Sequence, residues 1–213
     1  MTDRLQKIFS IIPSCEIFAD IGCDHGYIAQ AMLISGKAKK VIISDISEKC
    51  LQKARELLYE FIQDGRAESV VSDGFDKLSV CDVALIAGMG GEEICSILLK
   101  AKVIPNNLVL QPMKNADKVR KCVQNLGYKI QKDFMFKSAD KFYDLMLLTK
   151  GEENLTEEEI EFGRDNLSQM NLDFKQFISI KIARIDNILC DDKLSSEDRE
   201  KMLKTKEKLQ KYV

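Results

Sequence analysis

The sequence contains a single histidine, no Cys-x-x-Cys pair and no apolar run long enough to span a bilayer. One histidine and scattered cysteines exclude the usual structural zinc sites, which gather four such ligands. The missing apolar run excludes a membrane helix, and the N-terminus lacks the apolar segment of a signal peptide. The seven cysteines, an odd number, are expected to remain reduced thiols. We therefore expect a cytoplasmic protein without a metal or a membrane partner.

The chain also lacks a strong net charge. Its formal charge is −2 over 213 residues, of which 45% are hydrophobic and 31% are charged. This composition is typical of a globular protein rather than a disordered one. Because there is no overall basic excess, any contact with nucleic acid has to come from a local basic patch.

Short apolar runs alternate with amphipathic segments over residues 1–150. Strands are predicted at 17–21, 41–45, 68–72, 82–87 and 108–110, and helices at 5–12, 26–35, 47–62, 91–100 and 116–126. This alternation predicts a parallel sheet covered by helices on both faces. Two further strand-like runs, 128–137 and 142–149, are joined by a link too short for a parallel crossover. An antiparallel hairpin should therefore close the sheet, a layout found in the Rossmann-like α/β fold of class I methyltransferases.

Residues 151–213 show helical periodicity and no strand pattern. Thr156 and Glu159 have the spacing of a capping box, and a turn is expected at 190–193. We predict two antiparallel helices packed as a coiled-coil-like hairpin. The chain thus divides into a cofactor-binding domain at 1–150 and an extension at 151–213. This extension is either a structural appendage or a substrate-recognition arm.

The first strand runs into the turn Asp20-Ile21-Gly22-Cys23-Asp24-His25-Gly26, at the sheet edge where α/β proteins bind nucleoside cofactors. A dinucleotide fingerprint has glycine at the position of Asp24, because backbone N–H groups must approach a pyrophosphate. A carboxylate there would repel pyrophosphate but attract the ammonium or sulfonium of S-adenosylmethionine. The motif therefore favours S-adenosylmethionine over NAD, with a turn that binds no ligand as the alternative.

Three later strand ends carry residues suited to the same cofactor. Asp45 ends the second predicted strand at about the offset of the acidic residue that binds a ribose diol. Asp73-Gly74 follows the third strand, where aspartate can accept from the adenine N6 amine, although a plain turn would look the same. Gly88 lies in a Gly-rich run after the fourth strand, which allows close backbone approach to a ligand. That run lacks the Asn/Asp-Pro-Pro-aromatic motif of enzymes that methylate exocyclic amines.

The segment 20–27 resembles the Asp-Ile-Gly-Ser-Asp-His-Ala-Tyr signature of bacterial tRNA adenine-22 N1-methyltransferases, the TrmK-like family. The likeness extends through Arg4-Leu5, Asp73-Gly74, the Gly-rich run 87–91, the segment 110–112 and the helical extension. This chain departs from the signature at Cys23, which replaces serine, and at Gly26, which replaces alanine. Both replacements are small and should leave the pocket open.

The resemblance implies transfer of a methyl group from S-adenosylmethionine to N1 of adenine 22 in tRNA, with 151–213 as a tRNA-recognition extension. The cofactor-binding candidates are Asp20, Gly22, Asp24, His25, Asp45, Asp73, Gly74 and Gly88. Adenine N1 carries an in-plane lone pair and needs no deprotonation, so no acid or base is assigned. Met89, Gln111 and Tyr27 are candidates for positioning the base. His25 is expected to shape the loop or bond the cofactor, with a base contact as the alternative.

Basic residues offer a phosphate-binding rim, although a solvated helix face would explain most of them equally well. RNA contacts are assigned to Arg4, Lys7 and Lys114, within a wider set that includes Lys37, Lys39, Lys40, Lys118, Arg120 and Lys121. Arg4 is expected to reach either the cofactor carboxylate or an RNA phosphate. Two other functions stay open: a non-catalytic RNA-binding module with this fold, and a small-molecule methyltransferase. We expect a monomer, with a dimer as the alternative.

Overall fold

A computed structural model describes residues 1–191 and 194–213. Its strands are β1 (Cys15–Ile21), β2 (Ala38–Asp45), β3 (Ala67–Val71), β4 (Val83–Met89), β5 (Asn107–Pro112), β6 (Tyr128–Ser138) and β7 (Lys141–Lys150). Its helices are α1 (Asp3–Ile11), α2 (Tyr27–Ile34), α3 (Glu48–Leu57), α4 (Tyr59–Gln63), α5 (Gly91–Lys100), α6 (Ala116–Asn125), α7 (Glu157–Phe162), α8 (Arg164–Gln169), α9 (Leu172–Leu189) and α10 (Ser196–Gln210). The turn expected at 190–193 includes Asp192 and Lys193, which lie outside the described residues.

The seven strands form one sheet in the order β3-β2-β1-β4-β5-β7-β6. The pairs β1–β2, β2–β3, β1–β4 and β4–β5 are parallel, whereas β7 is antiparallel to β5 and to β6. The predicted parallel sheet, its closing hairpin and the class I methyltransferase layout are therefore confirmed. The chain order reverses between β1 and β4, and ligands of open α/β sheets bind at such a switch point, beyond the carboxyl ends of the strands.

Two apolar layers cover the sheet, one on each face. Ile8, Met32 and Leu51 bring α1, α2 and α3 onto one face. Ile94 and Val119 bring α5 and α6 onto the other face. A third cluster joins α7, α9 and α10 around buried aromatic and aliphatic side chains. None of the described helices combines the length and the apolar content that a membrane span requires.

The structure interrupts two helices that the sequence pattern predicts as continuous. The predicted helix at 47–62 has its expected N-cap, because the Ser47 hydroxyl accepts from the N–H of Cys50 at 3.3 Å. It is divided at Leu58, whose φ of −102° and ψ of 14° depart from helical values. The first helix predicted for the extension begins at the capping box of Thr156 but is divided at Gly163 and Met170, which have φ values of 86° and 47°. The hairpin proper is therefore α9 and α10 alone.

The extension is joined to the sheet along the free edge of the sheet, at β6. Strand β6 is the last in the sheet, so its outward N–H groups have no neighbouring strand to bond. Side-chain oxygens accept from these N–H groups at 2.7 to 2.9 Å. Glu153 accepts from Ile130, Asp165 from Asp133, Asn166 from Met135, and Asp173 from Lys137. This series of bonds fixes α8 and the start of α9 against the sheet.

Arg120, predicted at the phosphate-binding rim, is instead a core residue with 0% exposure. Its guanidinium bonds both carboxylate oxygens of Asp133, at 2.8 and 2.9 Å, and one oxygen of Asp144 at 2.6 Å. It also donates to the carbonyls of Ile160 and Glu161 at the end of α7. The rim prediction was wrong because Arg120 lies on the inner face of α6, where the carboxylates of β6 and β7 meet it.

The same contact explains the break at Gly163. A Cβ atom at Gly163 would lie 2.8 Å from an Arg120 nitrogen and 2.8 Å from an Asp133 oxygen. Glycine therefore allows the backbone to pass close to the buried ion pair.

Arg120→Met keeps the apolar bulk of the side chain but leaves Asp133 buried without a counter-charge. We expect the free energy of unfolding in urea to fall by about 3–5 kcal/mol. The control is Lys201→Met, which removes one end of the exposed Lys201–Glu197 pair and should change stability little. Equal effects of the two substitutions would contradict the structural role of Arg120.

Candidate functional site

The turn after β1 adopts the backbone conformations that its glycines permit. Gly22, Asp24 and Gly26 all have positive φ, at 69°, 47° and 73°. The N–H groups of Gly22 and Cys23 donate to the carbonyl of Ser44 on β2, at 2.7 and 3.0 Å. The turn is thus held directly beside the end of the strand that carries Asp45.

Asp20 lies beneath this turn and is 5% exposed. Burial is the main reason that its pKa rises to about 7, opposed by a hydrogen bond from the N–H of Ala29 and assisted by the charge of Asp45. Asp20 therefore connects the turn to α2 from inside the protein. Burial also raises the pKa of the Cys23 thiol, so this cysteine is a packing residue rather than a nucleophile.

A cleft of about 390 Å³ opens at the carboxyl ends of β1, β2, β3 and β4. It brings together four predicted cofactor residues, Gly22, Asp45, Asp73 and Gly74, together with Met89. Its volume is within the range of small-molecule sites. A larger cleft of about 520 Å³ lies at the amino ends of β4 and β5 and contains none of the predicted site residues.

Hydrogen bonds arrange the acidic residues of this cleft. Asp45 accepts from the N–H of Ser47 with one carboxylate oxygen, at 2.8 Å, which leaves the other oxygen for a ligand hydroxyl. The carbonyl of Asp45 accepts from the N–H of Ser72 at 3.1 Å, so Asp73 begins next to the end of β2. Asp73 also lies 3.6 Å from the ammonium of Lys100 on α5.

Two apolar residues of the cleft were not predicted from the sequence. Ile46 is 72% exposed although it is a large aliphatic residue, and Ile97 of α5 also lines the cleft. Ile46 directly follows Asp45, the predicted ribose-binding residue, and this position is a signal from which it could have been predicted. Ile97 had no such signal, because its spacing is that of an ordinary helix face. Together they offer apolar walls for a flat ring.

Other predicted cofactor residues lie outside the lining of this cleft. The carboxylate of Asp24 is exposed and lies 3.8 Å from the imidazole of His25. The His25 ring meets the edge of Tyr27 with 5.5 Å between centroids. Gly88 lies beside Arg4, because a Cβ atom at Gly88 would be 3.1 Å from an Arg4 nitrogen. Asp24 and His25 follow Gly22 closely in the chain and Gly88 precedes Met89, so both segments adjoin residues that line the cleft.

The three positioning candidates differ in accessibility. Met89 lines the cleft, and Tyr27 is 45% exposed. Gln111 is completely buried, and its amide donates to the carbonyl of Pro112 at 2.8 Å while its oxygen has no partner among the described residues. In this conformation Gln111 has no exposed surface to offer a base.

The predicted phosphate rim is divided between different parts of the surface. Arg4 lies over the ring of Tyr143 at 5.6 Å, Lys7 lies over Phe134 at 5.3 Å, and Lys114 is exposed. Lys118 is paired with Glu92, and Lys37 donates to carbonyls at the end of α1. Lys39 and Lys40 lie near the amino end of β2, at the opposite edge of the sheet. Within the described ranges, no group of acidic, histidine and cysteine side chains could hold a metal ion.

Gly22→Ala tests the close approach in the cleft. The added Cβ would lie 2.0 Å from the Met89 methyl at a backbone φ of +69°. The Met89 side chain would have to move within the cleft that it lines, into space that a ligand would use. We therefore expect S-adenosylhomocysteine to bind at least about tenfold more weakly, as measured by titration calorimetry.

The matched control is Gly36→Ala, which has a φ of +71° but no neighbouring atom within 4 Å. It imposes the same backbone strain and should leave ligand binding unchanged. Met89→Ala should reduce the cost of Gly22→Ala. If both glycine substitutions weakened binding equally, the contact with Met89 would not matter.

Comparisons with known proteins agree with the fold. The family model described as "Methyltransferase domain" matches residues 1–146. A Mycoplasma pneumoniae protein named "Putative tRNA methyltransferase" is 31% identical over 172 residues, covering 76% of this chain and 79% of that protein. The Bacillus subtilis tRNA (adenine(22)-N(1))-methyltransferase is 26% identical over 157 residues, covering 71% of this chain and 66% of that enzyme.

Among solved structures, that of Mycoplasma capricolum TrmK in complex with S-adenosyl-homocysteine has the same fold. Its TM-score is 0.88 at 23% identity, covering 100% of this chain and 97% of that one. The family match and the sequence relative, which both span most of the chain, carry the assignment. The chain therefore belongs to the methyltransferase-domain family and, within it, to the TrmK-like tRNA methyltransferases.

Proposed function

We propose that this protein transfers the methyl group of S-adenosylmethionine to N1 of adenine 22 in tRNA. The observation that carries the proposal is the cleft at the switch point of the sheet, which gathers Gly22, Asp45 and Asp73 in a TrmK-like chain. Its relative in Bacillus subtilis is named for this reaction.

The residues of the cleft fit the adenosine part of the cofactor. The free oxygen of Asp45 would accept from the ribose hydroxyls, and Asp73 would accept from the adenine N6 amine. Ile46 and Ile97 would cover the two faces of the base. Gly22 leaves room for the methionine part, which would extend toward the border formed by Gly88 and Asp24.

The bound cofactor supplies an electrophilic methyl group on a sulfonium. The protein has to hold adenine N1 in line with that methyl and tolerate the positive charge that develops on the base. Since N1 attacks with a lone pair, no side chain needs to remove a proton first. This agrees with the absence of the amine-binding motif from the run at 87–91.

Adenine N1 belongs to the Watson–Crick edge, so a paired target has to leave its helix before it can react. Met89, which lines the cleft, and Tyr27, which is exposed, would contact the extruded base. We assign 1–150 to cofactor binding and catalysis and 151–213 to tRNA recognition. The enzyme would act as a monomer in the cytoplasm, without a metal.

The test is transfer of labelled methyl from S-adenosylmethionine to an unmodified tRNA transcript. We expect label in the wild-type reaction and about ten- to hundredfold weaker cofactor binding in Asp45→Asn. This variant keeps the oxygen that accepts from Ser47 and replaces the other oxygen with a donor. Its fold should therefore be preserved, as measured by thermal unfolding.

The alternatives predict different results. A non-catalytic RNA-binding module would bind the transcript but transfer no label. A small-molecule methyltransferase would bind the cofactor with Asp45 but ignore the transcript. If Asp45→Asn bound S-adenosylhomocysteine as tightly as wild type, Asp45 would not belong to the site.

A further inference from the structure

A second cleft, of about 330 Å³, lies between the β6–β7 turn and α9. We propose that this cleft binds a nucleotide of the tRNA next to the target adenine. The proposal rests on the tRNA substrate proposed above and names residues of the extension that take part in its recognition. Its lining consists of Met113, Asp140, Lys141, Phe142, Tyr143, Phe177, Ile180, Lys181 and Arg184.

Aromatic rings and cations occur together in this cleft. The rings of Phe142 and Phe177 are 5.6 Å apart, one from the sheet and one from α9. Unstacked bases of RNA bind to aromatic faces and to guanidinium planes, while nearby cations hold the phosphates. Lys181 lies over Phe177 at 5.1 Å, and Arg184 is exposed one turn further along α9.

The charge of the lining favours an anion. Lys141, Lys181 and Arg184 are cationic, against a single acidic residue, Asp140. None of these three cations forms an ion pair with another described residue. Phosphates could therefore bind them without breaking an ion pair.

The position of the cleft indicates the substrate rather than a separate partner. Met113 lines it, and the N–H of Met113 donates to the carbonyl of Met89 at 2.8 Å. Met89 in turn lines the cofactor cleft. On the other side, Tyr143 lies beneath the guanidinium of Arg4, which borders Gly88. A strand whose adenine reached the methyl group would therefore pass its neighbouring nucleotide over Met113 and Tyr143 into this cleft.

The experiment measures tRNA affinity and methylation kinetics for Phe177→Leu and Arg184→Gln. Leucine keeps the apolar contact of Phe177 with the helical cluster but removes the stacking face. We expect tRNA affinity to fall about tenfold in each variant, and the salt dependence of binding to decrease by about one phosphate in Arg184→Gln. Affinity for S-adenosylhomocysteine should not change.

Arg66→Gln is the matched control. Arg66 lies over Phe61 at 4.7 Å, just before β3, at the amino-end edge of the sheet. Arg66→Gln removes the same charge far from the cleft and should leave tRNA affinity unchanged. Thermal unfolding of all variants separates loss of a contact from loss of the fold.

A modified transcript tests the identity of the occupant. An abasic nucleotide on one side of adenine 22 should weaken binding to wild type about tenfold but add little to the effect of Phe177→Leu. The proposal would be overturned if the loss from an abasic nucleotide added fully to that of Phe177→Leu on both sides of adenine 22. Unchanged affinity in Phe177→Leu and Arg184→Gln would also overturn it.

The outcomes also separate this proposal from the proposed function. If wild type methylated tRNA and both variants kept normal affinity, the nucleotide cleft would be wrong and the enzyme assignment would stand. If wild type bound tRNA through this cleft without transferring label, the cleft would stand and the enzyme assignment would fail. A wild-type protein that bound no tRNA would overturn both.

Discussion

The buried guanidinium of Arg120 joins parts of the protein that are far apart in the sequence. It bonds Asp133 on β6, Asp144 on β7 and the last carbonyls of α7. Charged hydrogen bonds in a dry interior are costly to break, so the edge hairpin and the C-terminal helices are expected to hold one arrangement. Helix α9 is bonded to β6 through Asp173 and lies beside the β6–β7 turn, where Phe177 meets Phe142. We therefore expect the proposed nucleotide cleft to depend on the arrangement that Arg120 stabilises, although Arg120 would touch neither cofactor nor RNA.

The cofactor cleft depends on a different constraint, the common direction of the first five strands. Parallel pairing brings the turns after β1, β2, β3 and β4 to one edge of the sheet. Backbone bonds from Gly22 and Cys23 to Ser44 then fix the spacing between the loop and Asp45. Met89 lines this cleft and Met113 lines the proposed nucleotide cleft, and a backbone hydrogen bond joins the two residues. We therefore expect one substrate strand to contact residues 1–150 and the extension at the same time.

Local patterns in the sequence predict much of this arrangement, because strand periodicity, helix caps and glycine turns are encoded by neighbouring residues. The bounds of α5, the cap at Ser47 and the closing hairpin were predicted in this way. Arg120 looked like an exposed cation because its carboxylate partners come from two later strands. The break at Gly163 follows from the same long-range contact. Ile97 was missed for a related reason, since only the folded protein brings it into the same cleft as Ile46.

We infer that the protein methylates a ring nitrogen that needs no general base. Mass spectrometry of nuclease fragments from a methylated transcript is the sharpest test, because it gives both the nucleotide and the atom that carry the methyl group. We expect 1-methyladenosine at position 22 alone, and none in a transcript that has guanine there. A methyl group on an exocyclic amine, on a ribose or at another position would contradict it.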